Sequence, residues 1–236
     1  MVVPLIADAP APDPGPLDAA LARLVAAGTD GRHAAPRADR TGPDVAGYRW
    51  LVVTSATAVR VVAGRTPSLP AGVRVACVGE ATARAARAAG WPVDLVPADA
   101  SAAGLVAALP ADAGPVLHPR SEIAAPTLVD GLRARGIDVD DPVAYRTVGT
   151  GDEPVALEPP PDAVLVTSGS VAREVARRIA PLHPRTLVAC IGPGTAADAR
   201  AAGLPVHVVA PSRSAEALLD AVATRLTPHP DQEGHP

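Results

Sequence analysis

The apolar positions of this chain fall into short, mostly apolar runs separated by stretches of helical spacing. Leu51-Val52-Val53 is one run, Val73 to Val78 another and Val93 to Val96 a third. The first is an unbroken apolar run, as fits a strand buried on both faces, and the other two, mostly apolar, read as the next strands. Each is followed by a helix-forming segment. Thr54-Ser55 ends the first strand, and a helix opens over Ala58 to Val62. Thr82 to Ala89 forms the next helix, closed by Gly90, a residue suited to the left-handed position just past a helix end. Ser101 caps a third helix, Ala102 to Leu109. Strands alternating with helices imply a parallel sheet with right-handed crossovers.

The same pattern then recurs. Trp50 to Leu109 aligns without a gap on Ala163 to Val222, and roughly two-fifths of the positions are identical. Thr54-Ser55 falls on Thr167-Ser168, Val75-Ala76-Cys77 on Val188-Ala189-Cys190, and Thr82 on Thr195. A repeat this long is a duplicated domain rather than a solenoid.

Around the copies lie less regular stretches. VVPLI at residues 2–6 is strand-like, and 7–16 is Pro- and Asp-rich and reads as a linker. Leu17 to Val25 has helical spacing, and Ala26 to Gly47 lacks periodicity and reads as a flexible insertion. After the first copy, Pro115 to Arg120 predicts a strand and its loop, Ala125 to Arg135 a helix ended by Gly136, and Ile137 to Val148 a strand that leaves the domain. The expected organisation is a first α/β domain over 10–142, connector strands at 1–9 and 143–148, a linker at 149–162, a second α/β domain over 163–226 and a disordered tail at 227–236. Only the first copy is followed by a β-α-β piece able to extend its sheet. The second domain is therefore expected to lack a strand and a helix at its N-terminal contribution, as in a chain shortened before Met1.

Composition narrows the picture. The chain is 48% hydrophobic but has no Phe, two Trp and two Tyr, so its core is built from small side chains. A net charge of −4 gives no basic surface for nucleic acid or an anionic membrane. No apolar run is long enough to span a bilayer and no signal peptide is read, so a cytoplasmic location is expected. The two Cys sit at equivalent strand positions and read as buried small hydrophobes. No two His have metal-ligand spacing. Gly192-Pro193-Gly194 lacks both the frame and the lysine of a phosphate loop; the chain has no Lys at all.

Several motifs together resemble the uroporphyrinogen-III synthase family. They are the strands ending in Thr-Ser, the turns Val78 to Ala83 and Ile191 to Ala196, the Leu117-His118-Pro119-Arg120 segment, and Val143 to Thr147. The resemblance implies two flavodoxin-like, parallel-sheet domains joined by a two-stranded connector. It implies a cofactor-free lyase that cyclises hydroxymethylbilane, loses water and inverts the last pyrrole ring to give uroporphyrinogen III. Such a chain is expected to work as a monomer and to receive its substrate from hydroxymethylbilane synthase. The alternative is a non-catalytic tetrapyrrole-binding or regulatory module of the same descent. Gly169 stands where many members carry Pro, and Ser121 where Gly is common.

A polycarboxylate substrate that reacts through a cation calls for many hydrogen-bond donors. Helix N-termini at the C-terminal edge of a parallel sheet supply them. The candidates are Thr54, Ser55, Gly79 and Thr82 in the first copy, and Ser168, Ser170, Gly192 and Thr195 in the second. Ser and Thr at these places also serve simply as caps. Arg120, Arg146 and Arg213 could pair with carboxylates. By resemblance, Tyr145 points into the cleft between the domains and donates a proton to the departing hydroxyl; an ordinary phenol is protonated at pH 7 and can act as an acid. Tyr48 is read as a strand-edge residue.

Overall fold

The computed structural model describes residues 3–29 and 47–227. The chain divides into two compact units. One comprises residues 8–147 and the other 1–7 with 148–236; they are called here the central unit and the terminal unit.

The central unit is built on a parallel four-stranded sheet in the order β3-β2-β4-β6. β2 (Trp50–Val53) is buried at every position and pairs with β3 (Arg74–Cys77) on one side and β4 (Val116–Leu117) on the other. β4 in turn pairs with β6 (Val139–Asp140). Helices α1 (Gly15–Thr29), α2 (Ala56–Arg65) and α3 (Glu80–Ala88) supply Leu17, Leu21, Leu24, Val59, Val62 and Ala83 to a core with Leu51, Val53 and Val75. On a second core, α4 (Ala102–Ala108) and α5 (Thr127–Ala134) pack Leu105, Leu128 and Leu132 against Trp50, Val52 and Ala76. The alternation of inward positions along β2, with Leu51 and Val53 on one core and Trp50 and Val52 on the other, is the two-faced burial that the continuous apolar run predicts.

The terminal unit repeats this with fewer strands. β8 (Ala163–Val166), β9 (Leu187–Cys190) and β10 (Val208–Val209) form a parallel sheet in the order β10-β9-β8. They are covered by α6 (Gly169–Arg178), α7 (Pro193–Ala201) and α8 (Ala215–Leu226). The duplication extends to single hydrogen bonds. The Val75 amide donates to Asp94 Oδ2 at 2.8 Å, and its twin Val188 donates to His207 Nδ1 at 2.8 Å. Ser101 and Ser214 cap α4 and α8 through the amides of Gly104 and Ala217. Gly90 and Gly203 both hold φ near +82° just past their helices.

A third sheet has the order β1-β7-β5, with β1 (Ile6–Pro10), β7 (Val143–Gly149) and β5 (Arg120–Ser121). The chain enters the central unit within β1 and leaves it within β7. The connector thus has a third strand, β5, that the sequence did not suggest.

Several boundaries differ from expectation, for identifiable reasons. β1 starts at Ile6 and runs through residues read as a linker; its closing Pro10 is tolerated because β1 is an edge strand. α1 continues through Thr29, so residues 26–29 belong to it, while the rest of the expected insertion and nearly all of the tail lie outside the described residues. The strand expected over 93–96 is a single bridge between Leu95 and Ala76. The strand expected over 115–120 is two, β4 and β5, in different sheets on either side of Pro119. The run 137–148 is likewise split into β6 and β7 at Pro142. Proline lacks the N–H that a continuous ladder needs.

Candidate functional site

In the central unit the C-terminal ends of β2, β3 and β4 carry most of the residues the sequence singled out. Ser55 is the N-cap of α2: its Oγ accepts from the Ala58 amide at 3.0 Å. The same oxygen accepts from the Tyr145 hydroxyl at 2.9 Å. Tyr145 lies on β7, is 8% exposed, and packs in the core that contains Leu117 and Ala144. With both acceptor positions used, Ser55 keeps its own O–H free to donate. Phenol, serine hydroxyl and helix N-terminus therefore form one hydrogen-bonded chain.

Gly79 is the N-cap of α3 in extended backbone, with no side chain to close the first-turn amides. A Cβ there would come within 3.2 Å of the Ala100 side chain, so the site suits glycine sterically as well. Thr54 is half-buried, and Thr82, in the first turn of α3, is buried. What this corner can offer an anion is chiefly backbone N–H.

Arg120 is not a free cation. Its Nε donates to Asp141 Oδ2 at 2.8 Å and its Nη1 to the Ser121 carbonyl at 3.1 Å. Arg133 takes the other oxygen of Asp141 at 2.8 Å. One carboxylate thus ties two arginines to the loop that links β6 and β7. Arg146 is exposed on β7. Ser121 pairs in register with Tyr145, and its Oγ is buried without a hydrogen-bond partner.

Two further residues have structural roles that the sequence did not assign to them. His118 is buried, and its Nδ1–H donates to the Val52 carbonyl at 2.9 Å. Burial holds its pKa below the ordinary value, so the ring stays neutral at pH 7. Its place directly after β4 was the available signal. Tyr48 is buried rather than a strand-edge residue. Its hydroxyl donates to Asp140 and accepts from Arg23 Nη2, whose guanidinium also pairs with Asp140 and lies over the ring. Burial first, and then Asp140, push its phenol well above the usual range.

In the terminal unit, Ser168 is the N-cap of α6, accepting from the Val171 amide at 3.2 Å. Ser170 is half-buried and accepts from Arg173 Nη2 at 3.3 Å. Gly192 caps α7 in extended backbone beneath the Arg213 side chain, 3.3 Å from where a Cβ would stand. Thr195 is buried. Gly169 lies against the Asp198 carboxylate, where a Cβ would be 2.2 Å from Oδ2. The position therefore excludes a larger residue unless Asp198 swings away. Among the described residues no cluster of His, Cys, Asp or Glu could hold a metal ion, and no helix is long and apolar enough to cross a membrane.

A family model described as Uroporphyrinogen-III synthase HemD matches residues 32–220, well over half of the chain. The chain belongs to the uroporphyrinogen-III synthase family. Solved structures of synthases share the fold. The uroporphyrinogen-III synthetase of Helicobacter pylori superposes with a TM-score of 0.61 at 18% identity, covering 95% of this chain and 92% of its own. A mutant uroporphyrinogen III synthase of Thermus thermophilus gives a TM-score of 0.56 at 20% identity, covering 96% and 88%. No curated protein sequence matches the chain.

Proposed function

We propose that this chain performs the reaction of its family, the ring-inverting cyclisation of hydroxymethylbilane to uroporphyrinogen III with loss of water. The observation that carries the assignment of roles is the hydrogen-bonded chain Tyr145–Ser55–α2 N-terminus. Tyr145 donates its proton to the hydroxyl that leaves as water. Ser55 accepts from the phenol in the resting state and positions it; when the phenol turns to the leaving group, Ser55 remains anchored by the Ala58 amide. The amides of Thr54, Ser55, Gly79 and the first turn of α3 hold substrate carboxylates and need no formal positive charge to do so. Ser168, Ser170, Gly192 and the first turn of α7 do the same in the terminal unit. Thr82 and Thr195, being buried, contribute through these turns rather than as exposed hydroxyls. Arg120 supports the loop through Asp141. The proposed working form is a soluble cytoplasmic monomer that takes its substrate from hydroxymethylbilane synthase.

One observation favours the second reading, a tetrapyrrole-binding module without turnover: Arg120, on the strand paired with that of Tyr145, is already paired with Asp141. Tyr145→Phe separates the two. In a synthase it lowers kcat by about a hundredfold or more, the low end of what a positioned acid contributes, with KM little changed. Unchanged turnover removes Tyr145 from the chemistry. Binding of substrate with no turnover in the unmodified chain establishes the second reading instead.

A further inference from the structure

The duplication shows which side chains of the terminal unit its fold does not require. Two of them are histidines. His183 lies in the loop before β9, and His207 directly before β10. Their twins in the central unit are Pro70 and Asp94. The backbone does the same thing around both pairs. The Thr186 amide donates to the His183 carbonyl at 2.8 Å, as the Val73 amide does to that of Pro70 at 3.3 Å. The Val188 amide donates to His207 Nδ1, as the Val75 amide does to Asp94 Oδ2. Pro and Asp satisfy the fold at these positions, and neither position needs an imidazole.

Both rings line one cavity of about 470 Å³ in the terminal unit. Pro181, Leu182, Leu204 and Pro205 supply much of its wall. Among the described residues that line it there is no Arg, Asp or Glu. The Thr186 hydroxyl, also there, donates to the Pro161 carbonyl at 2.8 Å. A cavity of this size, largely apolar with a few fixed polar groups, has the form of a small-molecule site.

The hydrogen bonds also decide what the imidazoles can offer. His183 Nδ1 accepts from the Arg185 amide at 3.3 Å, and His207 Nδ1 from the Val188 amide at 2.8 Å. Each neutral ring therefore carries its proton on Nε2, which has no partner among the described residues. A histidine that binds a metal through Nε2 donates from Nδ1 instead. The pair thus presents two N–H donors, which suit an anion and not a cation.

We propose that this cavity binds a small organic carboxylate with an apolar body. The Nε2–H groups of His183 and His207 donate to the carboxylate, and the apolar part lies on Leu182, Leu204 and the prolines. Charge-assisted hydrogen bonds of this kind are the stronger ones. The site lies at the N-terminal ends of β9 and β10, whereas Ser168 and Gly192 stand at the C-terminal ends of β8 and β9. The inference is therefore independent of the proposed reaction.

The test titrates the full chain at pH 8 with sodium benzoate and reads the Cε1–H resonances of its six histidines. Those of His183 and His207 should shift together with one Kd on the order of 1 mM, while that of His118, in the central unit, stays in place. His183→Pro and His207→Asp each install the residue that the twin already uses. Each should weaken binding at least about tenfold, the loss of one hydrogen bond to a charged group, with circular dichroism unchanged. In the unmodified chain, the absence of a saturable shift at both histidines by about 20 mM benzoate overturns the proposal. So does inorganic phosphate that binds as tightly as benzoate, because the apolar wall then contributes nothing.

Discussion

Removing the Ser55 hydroxyl tests the chain of hydrogen bonds at its centre, and the duplication supplies the control. Ser55→Ala deletes the α2 cap, worth about 1 kcal/mol. It also strands the hydroxyl of Tyr145, which is buried and donates to Ser55 at 2.9 Å. Leaving a buried donor unmade costs about 1–3 kcal/mol more. The total for the central unit is about 2–4 kcal/mol. Ser168→Ala removes the twin cap and nothing else, so the terminal unit should lose only about 1 kcal/mol. Both tryptophans, Trp50 and Trp91, lie in the central unit, so their fluorescence in a urea titration reports that unit alone. Circular dichroism reports the helices of both units, so a transition it shows without a change in fluorescence belongs to the terminal unit. The double variant Ser55→Ala, Tyr145→Phe should cost less than the sum of the single changes by about 1 kcal/mol, the interaction energy of one hydrogen bond. If Ser55→Ala is no worse than Ser168→Ala, and the cycle closes with no coupling, the phenol–serine bond does not organise the site.

Other outcomes follow from single features. Ser121→Ala removes a buried hydroxyl without a partner and should leave stability unchanged or raise it by up to about 1 kcal/mol in the same titration; a loss above that would mean the hydroxyl is satisfied. Gly104→Ala would drive a Cβ to 2.0 Å from the Asp99 carbonyl oxygen, a backbone atom that cannot swing aside; a loss of about 1–3 kcal/mol is expected, and a neutral result would refute the close approach of α4 to that turn. His118 has a folded pKa below its unfolded value of 6.5. Its contribution is therefore complete above pH 6.5 and is lost as the pH falls toward the folded value. The urea midpoint of the central unit should drop between pH 7 and 5 more steeply in the unmodified chain than in His118→Asn; parallel profiles would remove His118 as the cause. Burial pushes the Cys77 thiol up to about 11 and raises that of Cys190, so neither should react with a thiol reagent at pH 8 until the chain unfolds; rapid labelling of native protein would contradict the burial.

The parts of the fold legible in the sequence were those whose local and tertiary demands agree. β2 and β9 are continuous apolar runs whose central positions are buried, and Ser55, Ser101, Ser168 and Ser214 cap because each stands in extended backbone directly before its helix, where its Oγ meets a first-turn amide. The repeat exposed the unequal sheets before any coordinate did. Illegible were the features set by chain crossings. Pro119 and Pro142 look like ordinary loop residues, yet each moves the chain from one sheet to another and creates β5 and β7. Arg120 looks like a free cation because its partner, Asp141, lies twenty-one residues away and meets it only across the β5–β7 pairing. At the candidate site, Ser55 and Tyr145 could be named separately; their contact, ninety residues apart in sequence, needed the fold.

The central claim is that this chain directs a linear tetrapyrrole to the inverted macrocycle. The most direct measurement supplies preformed hydroxymethylbilane to the purified chain and separates the uroporphyrinogen products by isomer. The account predicts uroporphyrinogen III in excess of the spontaneous isomer I, rising in proportion to the amount of folded chain. Isomer I alone, at high concentrations of chain whose fold is intact by circular dichroism, would contradict it.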